Sequence, residues 1–315
     1  MAMMQRDLFE DKSPANHWAA EETKHALDEL FNATYLYRAS DEFYNLIKFV
    51  RRFKFYSPYN ALLIHIQRPG ARFVAPPTRW YRKYGRRVKP NANPIVILQP
   101  MGPVMFVFDV NDTEETEFVA PLPPGVDKPF EVTGRKIGDE LDYTIDNAKR
   151  DGIRITKQKT GSQAAGKIYP VQGKDLPFLK YEYGKNQAGI PIQYQIQLRY
   201  EILCSQDLSK ESNYATVAHE LAHLYCGHLG TPNKKWWPDR RGLSQISEEF
   251  EAESVSYLVC TRLGIKTTSE KYLSDYIENN KELPAISLEC IMKAAGIIES
   301  MGQKRLKPRK EPDLY

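Results

Sequence analysis

The chain has 315 residues, of which 42% are hydrophobic and 27% are charged. These proportions are globular and exclude a mostly disordered chain, and the length suggests two domains of ~150 residues each. The net charge of +4 is unevenly distributed, because residues 43–108 contain twelve Lys or Arg and no Asp or Glu. Since this segment carries +12, the other 249 residues carry −8.

The cysteines and the apolar runs indicate the class of protein to expect. The four cysteines form no Cys-x-x-Cys pair, which argues against a cysteine zinc site and favours reduced thiols. No apolar run approaches the ~18 residues of a membrane-spanning helix, and the first residues lack the apolar core of a secretory signal. We therefore expect a cytoplasmic protein with no membrane partner.

The N-terminal half is predicted to contain helices followed by a strand pair. Apolar residues recur at spacings of three and four in residues 18–56, which is typical of helices, and a second apolar helix is predicted over 59–67. Apolar runs at 95–98 and 104–108, separated by a turn rich in Pro and Gly, predict two strands of a hairpin. Residues 18–110 would then form a smaller, basic α+β domain.

Residues 111–130 are predicted to link the two domains. They combine acidic side chains with residues that break helices and strands, namely Pro121, Pro123, Pro124, Gly125 and Pro129. This composition is typical of a linker. The second domain is therefore predicted over 131–303, and the basic tail 304–315 is expected to be frayed.

The second domain is also predicted to be α+β. A helix is expected over 139–149, a strand from 153 and a flexible loop at 158–166. Residues 192–202 alternate strictly between apolar and polar, which predicts one strand with a buried face. The spacing of apolar residues then predicts four helices, at 212–227, 245–263, 269–279 and 287–301.

Two histidines in the first of these helices have the spacing of metal ligands. Residues 218–224 read Ala-His-Glu-Leu-Ala-His-Leu, so His219 and His223 lie one turn apart and can share a tetrahedral cation. Glu220 lies beside them, where a carboxylate can act on a metal-bound water molecule as a catalytic base. The alternative is a helix whose two histidines are ordinary, partly buried residues.

The third ligand is expected to come from a later helix. Leu229 occupies the position of a third histidine, and His228 is interpreted as a residue of the helix end, because a glycine precedes it. Glu249 and Glu253 share a helix face, so we predict Glu249 as the third ligand and Glu253 as the group that orients a ligand histidine. Glu251 lies on another face and is the weaker choice; a run of four glutamates in six residues can also be a solvated face.

These segments resemble a known family. ATVAHELAHLYCGH and EEFEAESVSYLVCTRLGI resemble the ImmA/IrrE-type metallopeptidases and the related zincin-like domain of ArdC-type antirestriction proteins, most clearly over 192–280. The resemblance implies a zincin-like fold, with the motif helix packed on a small sheet. It implies Zn²⁺ bound by His219, His223 and Glu249, with Glu220 as general base. This chain has Glu253 where many members have Asn.

The N-terminal segments resemble the N-terminal domain of ArdC-type proteins less closely. They are SPYNALLIHIQRPGARFV and WYRKYGRRVKPNANPIVIL, and that domain is associated with binding of single-stranded DNA. The residues agree, because cations interleaved with aromatic rings are typical of a single-strand groove. The predicted nucleic-acid-binding residues are Arg51, Arg52, Lys54, Arg79, Trp80, Arg82, Lys83, Arg86, Arg87 and Lys89. The alternative is a basic surface over a small aromatic core.

The sequence therefore predicts a zinc-dependent metallopeptidase coupled to DNA binding. The family resemblance implies a regulatory protein, such as a transcriptional repressor, as substrate, and a link to antirestriction and mobile elements. One alternative is a non-proteolytic, single-stranded-DNA-binding antirestriction factor whose metal is structural. Another is a switch in which bound DNA controls proteolysis. The segment from Trp236 to Arg241, between the two metal-binding helices, is assigned no site.

Overall fold

The computed structural model of the protein describes residues 37, 39–99, 102–123, 136–158, 166–173 and 175–309. The predictions for residues 18–36, for the end of the linker, for most of the loop 158–166 and for the last six residues of the tail lie outside these ranges. Helices and small sheets both contribute, so the fold is α+β as predicted. Within the described ranges, no helix is both long and apolar enough to cross a membrane.

The described residues contain eight α-helices and ten strands. The helices are α1 (Ser40–Arg52), α2 (Pro58–Gln67), α3 (Pro77–Tyr84), α4 (Glu140–Ala148), α5 (Lys210–Tyr225), α6 (Gln245–Leu263), α7 (Ser269–Asn279) and α8 (Leu288–Gln303). The strands are β1 (Val74–Ala75), β2 (Arg86–Val88), β3 (Ile95–Gln99), β4 (Gly102–Asp109), β5 (Thr113–Glu115), β6 (Ile153–Gln158), β7 (Gly166–Pro170), β8 (Phe178–Lys185), β9 (Pro191–Gln197) and β10 (Tyr200–Ser205).

The described residues form two compact units that do not follow the predicted division. The first unit contains residue 37 and residues 60–123, and the second contains residues 39–59 and 136–309. The predicted first domain, 18–110, included α1, which the structure places in the second unit. The predicted linker began at residue 111, but β5 lies beyond that point and pairs with β2 inside the first unit.

The first unit is built on a sheet of order β1-β4-β3 and a small aromatic core. The antiparallel pair of β3 and β4 is the predicted hairpin. Phe73 contacts Trp80 and Tyr84 edge-to-face, and all three rings are buried. The indole of Trp80 also donates a hydrogen bond to the carbonyl of Phe108, so α3 is fixed to β4 by both packing and a polar contact.

The second unit contains the sheet that supports the candidate site. Its order is β6-β10-β7, with β10 parallel to β6 and antiparallel to β7, which is therefore an edge strand. Helix α5 follows β10 after a short connection and contacts β7, α6 and α8. A separate antiparallel pair, β8 and β9, completes the strands of this unit.

The predicted single strand over 192–202 is wrong, because the structure divides it between two sheets. Strand β9 ends at Gln197 and β10 begins at Tyr200. At the break, the backbone N–H groups of Arg199 and Tyr200 both donate to the carbonyl of Gly152, so the ladder of β9 does not continue. The alternation predicts burial correctly from Ile196 to Ile202, whereas Ile192 at the start of the segment is 40% exposed.

Helix α1 belongs to the second unit because a buried arginine of α6 closes its C-terminal end. The guanidinium of Arg262 donates to the carbonyls of Val50, Phe53 and Tyr56 and pairs with Glu299 of α8. The last carbonyls of a helix have no partner within the helix, so the guanidinium supplies hydrogen bonds that the helix itself cannot provide. The three bonds to the carbonyls join residues that are more than 200 positions apart.

Candidate metal centre

Helix α5 places the two motif histidines at the end of a well-bounded helix. The hydroxyl of Ser209 accepts a hydrogen bond from the N–H of Ser212 and caps its N-terminus. Beyond its C-terminus, Gly227 has φ +89°, and a Cβ atom at this position would lie 2.4 Å from the carbonyl oxygen of Pro238. The turn after the motif therefore requires glycine for both its backbone angle and its close approach.

The structure brings together the three predicted metal ligands. The Nε2 atoms of His219 and His223 lie 3.2 Å apart. The carboxylate of Glu249 lies 3.5 Å from His219 Nε2 through Oε2 and 3.6 Å from His223 Nε2 through Oε1. Zn–N bonds of ~2.0–2.1 Å in a tetrahedron place ligand nitrogens about 3.3 Å apart. Two imidazoles and a carboxylate at this spacing fit a zinc ion.

Glu249 and Glu253 lie on α6, whose bounds are those predicted from the sequence. Oε1 of Glu253 lies 3.6 Å from Nδ1 of His219, on the side of the ring opposite its ligand nitrogen. A carboxylate at this position favours the tautomer of His219 that carries a proton on Nδ1 and leaves Nε2 free to bind metal. The position of Glu253 is therefore the one expected for a group that orients His219.

The side chain of Glu220, the residue after His219, is held in place by the edge strand β7. Its Oε2 accepts a hydrogen bond of 2.7 Å from the N–H of Ile168, and a Cβ atom at Gly166 would lie 3.3 Å from Oε1. Burial raises the pKa of Glu220 above its ordinary value, although His219 and the Ile168 N–H oppose that rise. A raised pKa brings a carboxylate closer to the range in which it exchanges protons near neutrality.

The cleft beside the ligands has a polar lining. Its volume is about 660 Å³, and it is lined by His219, Glu220 and Glu253 together with β7, α5, α6 and the segment that leads into α7. The other polar side chains of the wall are Ser212, Thr216, Ser256, Lys266, Thr267, Thr268 and Ser269. A volume of this size accommodates part of a peptide.

Sequence reasoning missed a buried network behind His223. Nδ1 of His223 lies 3.0 Å from Nδ1 of His228, and Nε2 of His228 lies 2.9 Å from Oε2 of Glu251. Glu251 is fully buried and also accepts from both terminal nitrogens of Arg240, at 2.6 and 2.7 Å, and from the N–H of Ser287. His228 is thus more than a residue of the helix end.

The hydrogen bonds assign the proton positions in this network. If His223 gives Nε2 to a metal, its Nδ1 carries a proton and donates to His228. His228 then carries its own proton on Nε2 and donates to Glu251. Burial and the neighbouring His219 lower the pKa of His223 to about 4, which favours the neutral ring that binds metal. The carboxylate of Glu251 therefore orients a ligand through one intervening histidine.

Cys226, His228 and Glu251 form a second close group, with potential ligand atoms within 4.8 Å of one another. Burial would raise the pKa of Glu251, but hydrogen bonds from His228 and Arg240 outweigh it and lower that pKa. Burial raises the pKa of the Cys226 thiol well above its ordinary value. Since Arg240 already neutralises the carboxylate and the thiol stays protonated, this group does not fit a metal.

The predicted nucleic-acid-binding residues are divided between the two units. Arg79, Arg82 and Lys83 are exposed on α3, beside the exposed ring of Tyr81. Arg87 lies over that ring at 5.7 Å, and Lys89 is exposed beyond β2. Arg86 is paired with Glu115.

The prediction for Trp80 is wrong, because the ring is fully buried in the core of the first unit and cannot stack on a base.

Arg51, Arg52 and Lys54 belong to the second unit. Arg51 donates to the hydroxyl of Tyr257 and pairs with Glu270, so it has partners within its own unit. The guanidinium of Arg52 lies over the ring of Phe49 at 4.6 Å, and Lys54 is exposed. The segment with a charge of +12 is therefore not the surface of one domain. Residues 60–123 contain eight Lys or Arg and five Asp or Glu, a net charge of +3.

Comparisons with known proteins add no further assignment. No family model, no curated protein and no solved structure matches this chain.

Proposed function

We propose that the protein is a zinc-dependent metallopeptidase that hydrolyses a peptide bond in another protein. The observation that carries the proposal is the convergence of His219 Nε2, His223 Nε2 and the Glu249 carboxylate at zinc-ligand spacing, with Glu220 lining the same cleft as His219. Three protein ligands are the number found in catalytic zinc sites, whereas structural sites have four. This difference favours the enzyme over the alternative in which the metal is structural.

Each side chain of the site has a part in this reaction. When bound by the three ligands, zinc would polarise the scissile carbonyl and lower the pKa of a coordinated water molecule toward ~7. Glu220 accepts a proton at the oxygen that Ile168 does not occupy and returns it to the leaving amine. Glu253 and the pair of His228 and Glu251 hold the two ligand histidines in their metal-binding tautomers.

Metal content tests the proposal directly. We expect purified protein to contain one zinc ion per chain by inductively coupled plasma mass spectrometry, because three ligands converge on one point. His219→Ala removes one ligand and should reduce the zinc content to a small fraction. Lys271→Ala, which changes an exposed residue of α7 that does not line the cleft, is the matched control. Protein without stoichiometric zinc, or an unchanged content in His219→Ala, would overturn the proposal.

We also propose that the first unit binds single-stranded DNA, through exposed side chains of α3. The supporting observation is that three cations, Arg79, Arg82 and Lys83, and the ring of Tyr81 are all exposed on this one helix. Cations can follow phosphates while a ring stacks on a base. This surface is smaller than the sequence suggested, because ion pairs to acidic residues of the same unit engage Arg68 and Arg86.

Salt dependence tests DNA binding. If three cations of α3 each neutralise a phosphate, the slope of log K against log salt should be about −2 for a single-stranded oligonucleotide. Arg82→Ala should make the slope shallower by about 0.7, and Tyr81→Ala should weaken binding with no change in slope. Fluorescence anisotropy with a labelled oligonucleotide measures both. Binding that is absent at low salt, or that does not change with salt, would exclude this surface.

A further inference from the structure

The second unit contains another cavity, of about 690 Å³, which shares no lining residue with the cleft at the metal ligands. Its walls come from α8, from the segment between α5 and α6, and from residues near both ends of the unit. Small-molecule sites commonly measure ~300–1,000 Å³. The size therefore suits one small ligand, and the lining indicates its chemistry.

Two arginines in the wall share a single carboxylate. Arg150 and Arg309 both bond Asp151 through Nε and Nη2, and the hydroxyl of Tyr225 donates to the same carboxylate. Asp151 is fully buried, and Arg150 is only 8% exposed. Two guanidinium groups against one carboxylate leave a surplus charge of +1 in a buried cluster.

The third nitrogen of each arginine is left for a ligand. Among the described residues, Nη1 of Arg150 and Nη1 of Arg309 make no hydrogen bond, although both side chains line the cavity. A guanidinium that has lost most of its solvent and keeps an unused donor is suited to bind an anion. The arrangement provides two such donors in one wall.

The rim of the cavity adds to the positive charge. Lys234 and Lys235 line it, are exposed, and form no ion pair in the part of the chain that the structure describes. Lys293 also lines it and pairs with Glu289. With the two arginines, five cations face two carboxylates, Glu289 and Asp151, which gives a net charge of +3. One carboxylate would neutralise only a third of this charge, whereas a phosphate ester carries about two negative charges.

The cavity also has an apolar side suited to a planar group. Trp236, Trp237, Met292 and Ile297 line it. The guanidinium of Arg309 lies 5.3 Å from the ring centre of each indole, so the charged and aromatic parts of the wall are in contact. We propose that this cavity binds a phosphorylated small molecule of mononucleotide size, with its phosphate at Arg150, Arg309 and the two rim lysines.

The ligand would lie against the segment that connects the two metal-binding helices. Tyr225 is the last residue of α5, the run from Trp236 to Pro238 belongs to the connecting segment, and Arg240 lies two residues beyond Pro238. The N–H of Arg240 donates to the carbonyl of Gly227, so the two ends of the segment are joined. The proposal concerns binding alone and does not depend on the metal or on peptidase activity.

Titration with adenosine monophosphate tests the proposal on the full chain. We expect saturable binding by isothermal calorimetry with quenching of tryptophan fluorescence, and at least tenfold weaker binding of adenosine, which lacks the phosphate. The double variant Lys234→Glu/Lys235→Glu should lower the affinity for adenosine monophosphate at least tenfold. Lys271→Glu/Lys281→Glu, an equal change of charge at two exposed lysines outside the cavity, should leave it unchanged.

Three results would overturn the proposal. These are no binding of adenosine monophosphate at millimolar concentration, equal affinity for adenosine, and undiminished binding by Lys234→Glu/Lys235→Glu. The last result would place the binding site elsewhere in the protein, because the rim lysines would have no part in it. A circular dichroism spectrum equal to that of wild type establishes that the variant is folded.

Discussion

Glu220→Gln is expected to abolish peptide hydrolysis while zinc remains bound at one ion per chain. The amide has the shape of the carboxylate, and its oxygen can still accept the hydrogen bond from Ile168, but it cannot take up a proton. Proton transfer by a positioned side chain contributes ~10²–10⁴-fold to a rate. A loss of this size with unchanged zinc content separates the base from the three ligands, whose removal loses the metal as well.

The measurement is a cleavage screen of cellular proteins by mass spectrometry, with wild type and Glu220→Gln in parallel. Glu278→Gln, which changes an exposed residue of α7, is the matched control and should cleave like wild type. Fragments that appear with both wild type and Glu220→Gln would contradict the assigned role of Glu220. A variant that loses no biological function would favour the non-proteolytic alternative with a structural metal.

Repeating the screen with and without a single-stranded oligonucleotide tests the other alternative, in which bound DNA controls proteolysis.

Arg240→Met is expected to destabilise the second unit by about 3–5 kcal/mol and to weaken zinc binding. The substitution removes both terminal nitrogens from Glu251, which is fully buried and would keep only His228 and the Ser287 N–H as partners. Removing one partner of a buried ion pair costs about this much, because the other charge is left uncompensated. Zinc affinity should fall ~10–100-fold, since Glu251 orients His223 through His228.

Arg241→Met provides a control from the neighbouring position. Arg241 is exposed and pairs with an exposed Asp239, so its replacement should leave both the melting temperature and zinc affinity unchanged. Thermal unfolding, followed by calorimetry, and competition with a chromophoric zinc chelator measure the two quantities. If Arg240→Met and Arg241→Met behaved alike, the buried network would have no part in stability or in metal binding.

Local patterns were sufficient to predict which side chains come together at the candidate metal site, but not the groups behind them. His219, His223, Glu249 and Glu253 repeat at helical spacing, so their faces follow from the sequence, and the bounds of α6 were predicted correctly. The contact of His228 with Glu251 depends on how α5 packs against α6. The only sign of this contact in the sequence is Glu251 itself. It lies on the face of α6 opposite Glu249 and Glu253, where a solvated carboxylate is not expected.

Tertiary contacts also decided where sheets and units end. The alternation over residues 192–202 reports burial only from Ile196 onward, and it carries no information on which strand each residue pairs with. The carbonyl of Gly152 divides that segment between two sheets. Likewise, no local feature of α1 shows that Arg262 closes its end. Charge composition grouped α1 with the basic residues that follow, whereas packing groups it with the helices of the candidate metal centre.

The closure of α1 by Arg262 has a consequence for biosynthesis. Val50 and Arg262 are 212 residues apart, and residues 60–123 of the first unit lie between them. At ~5–20 residues per second, a ribosome adds these residues in roughly 10–40 s. Residues 60–123 are completed within that interval, whereas α1 is synthesised early, long before Arg262 can close its end. A chaperone that recognises nascent apolar segments would therefore find α1 exposed for most of translation.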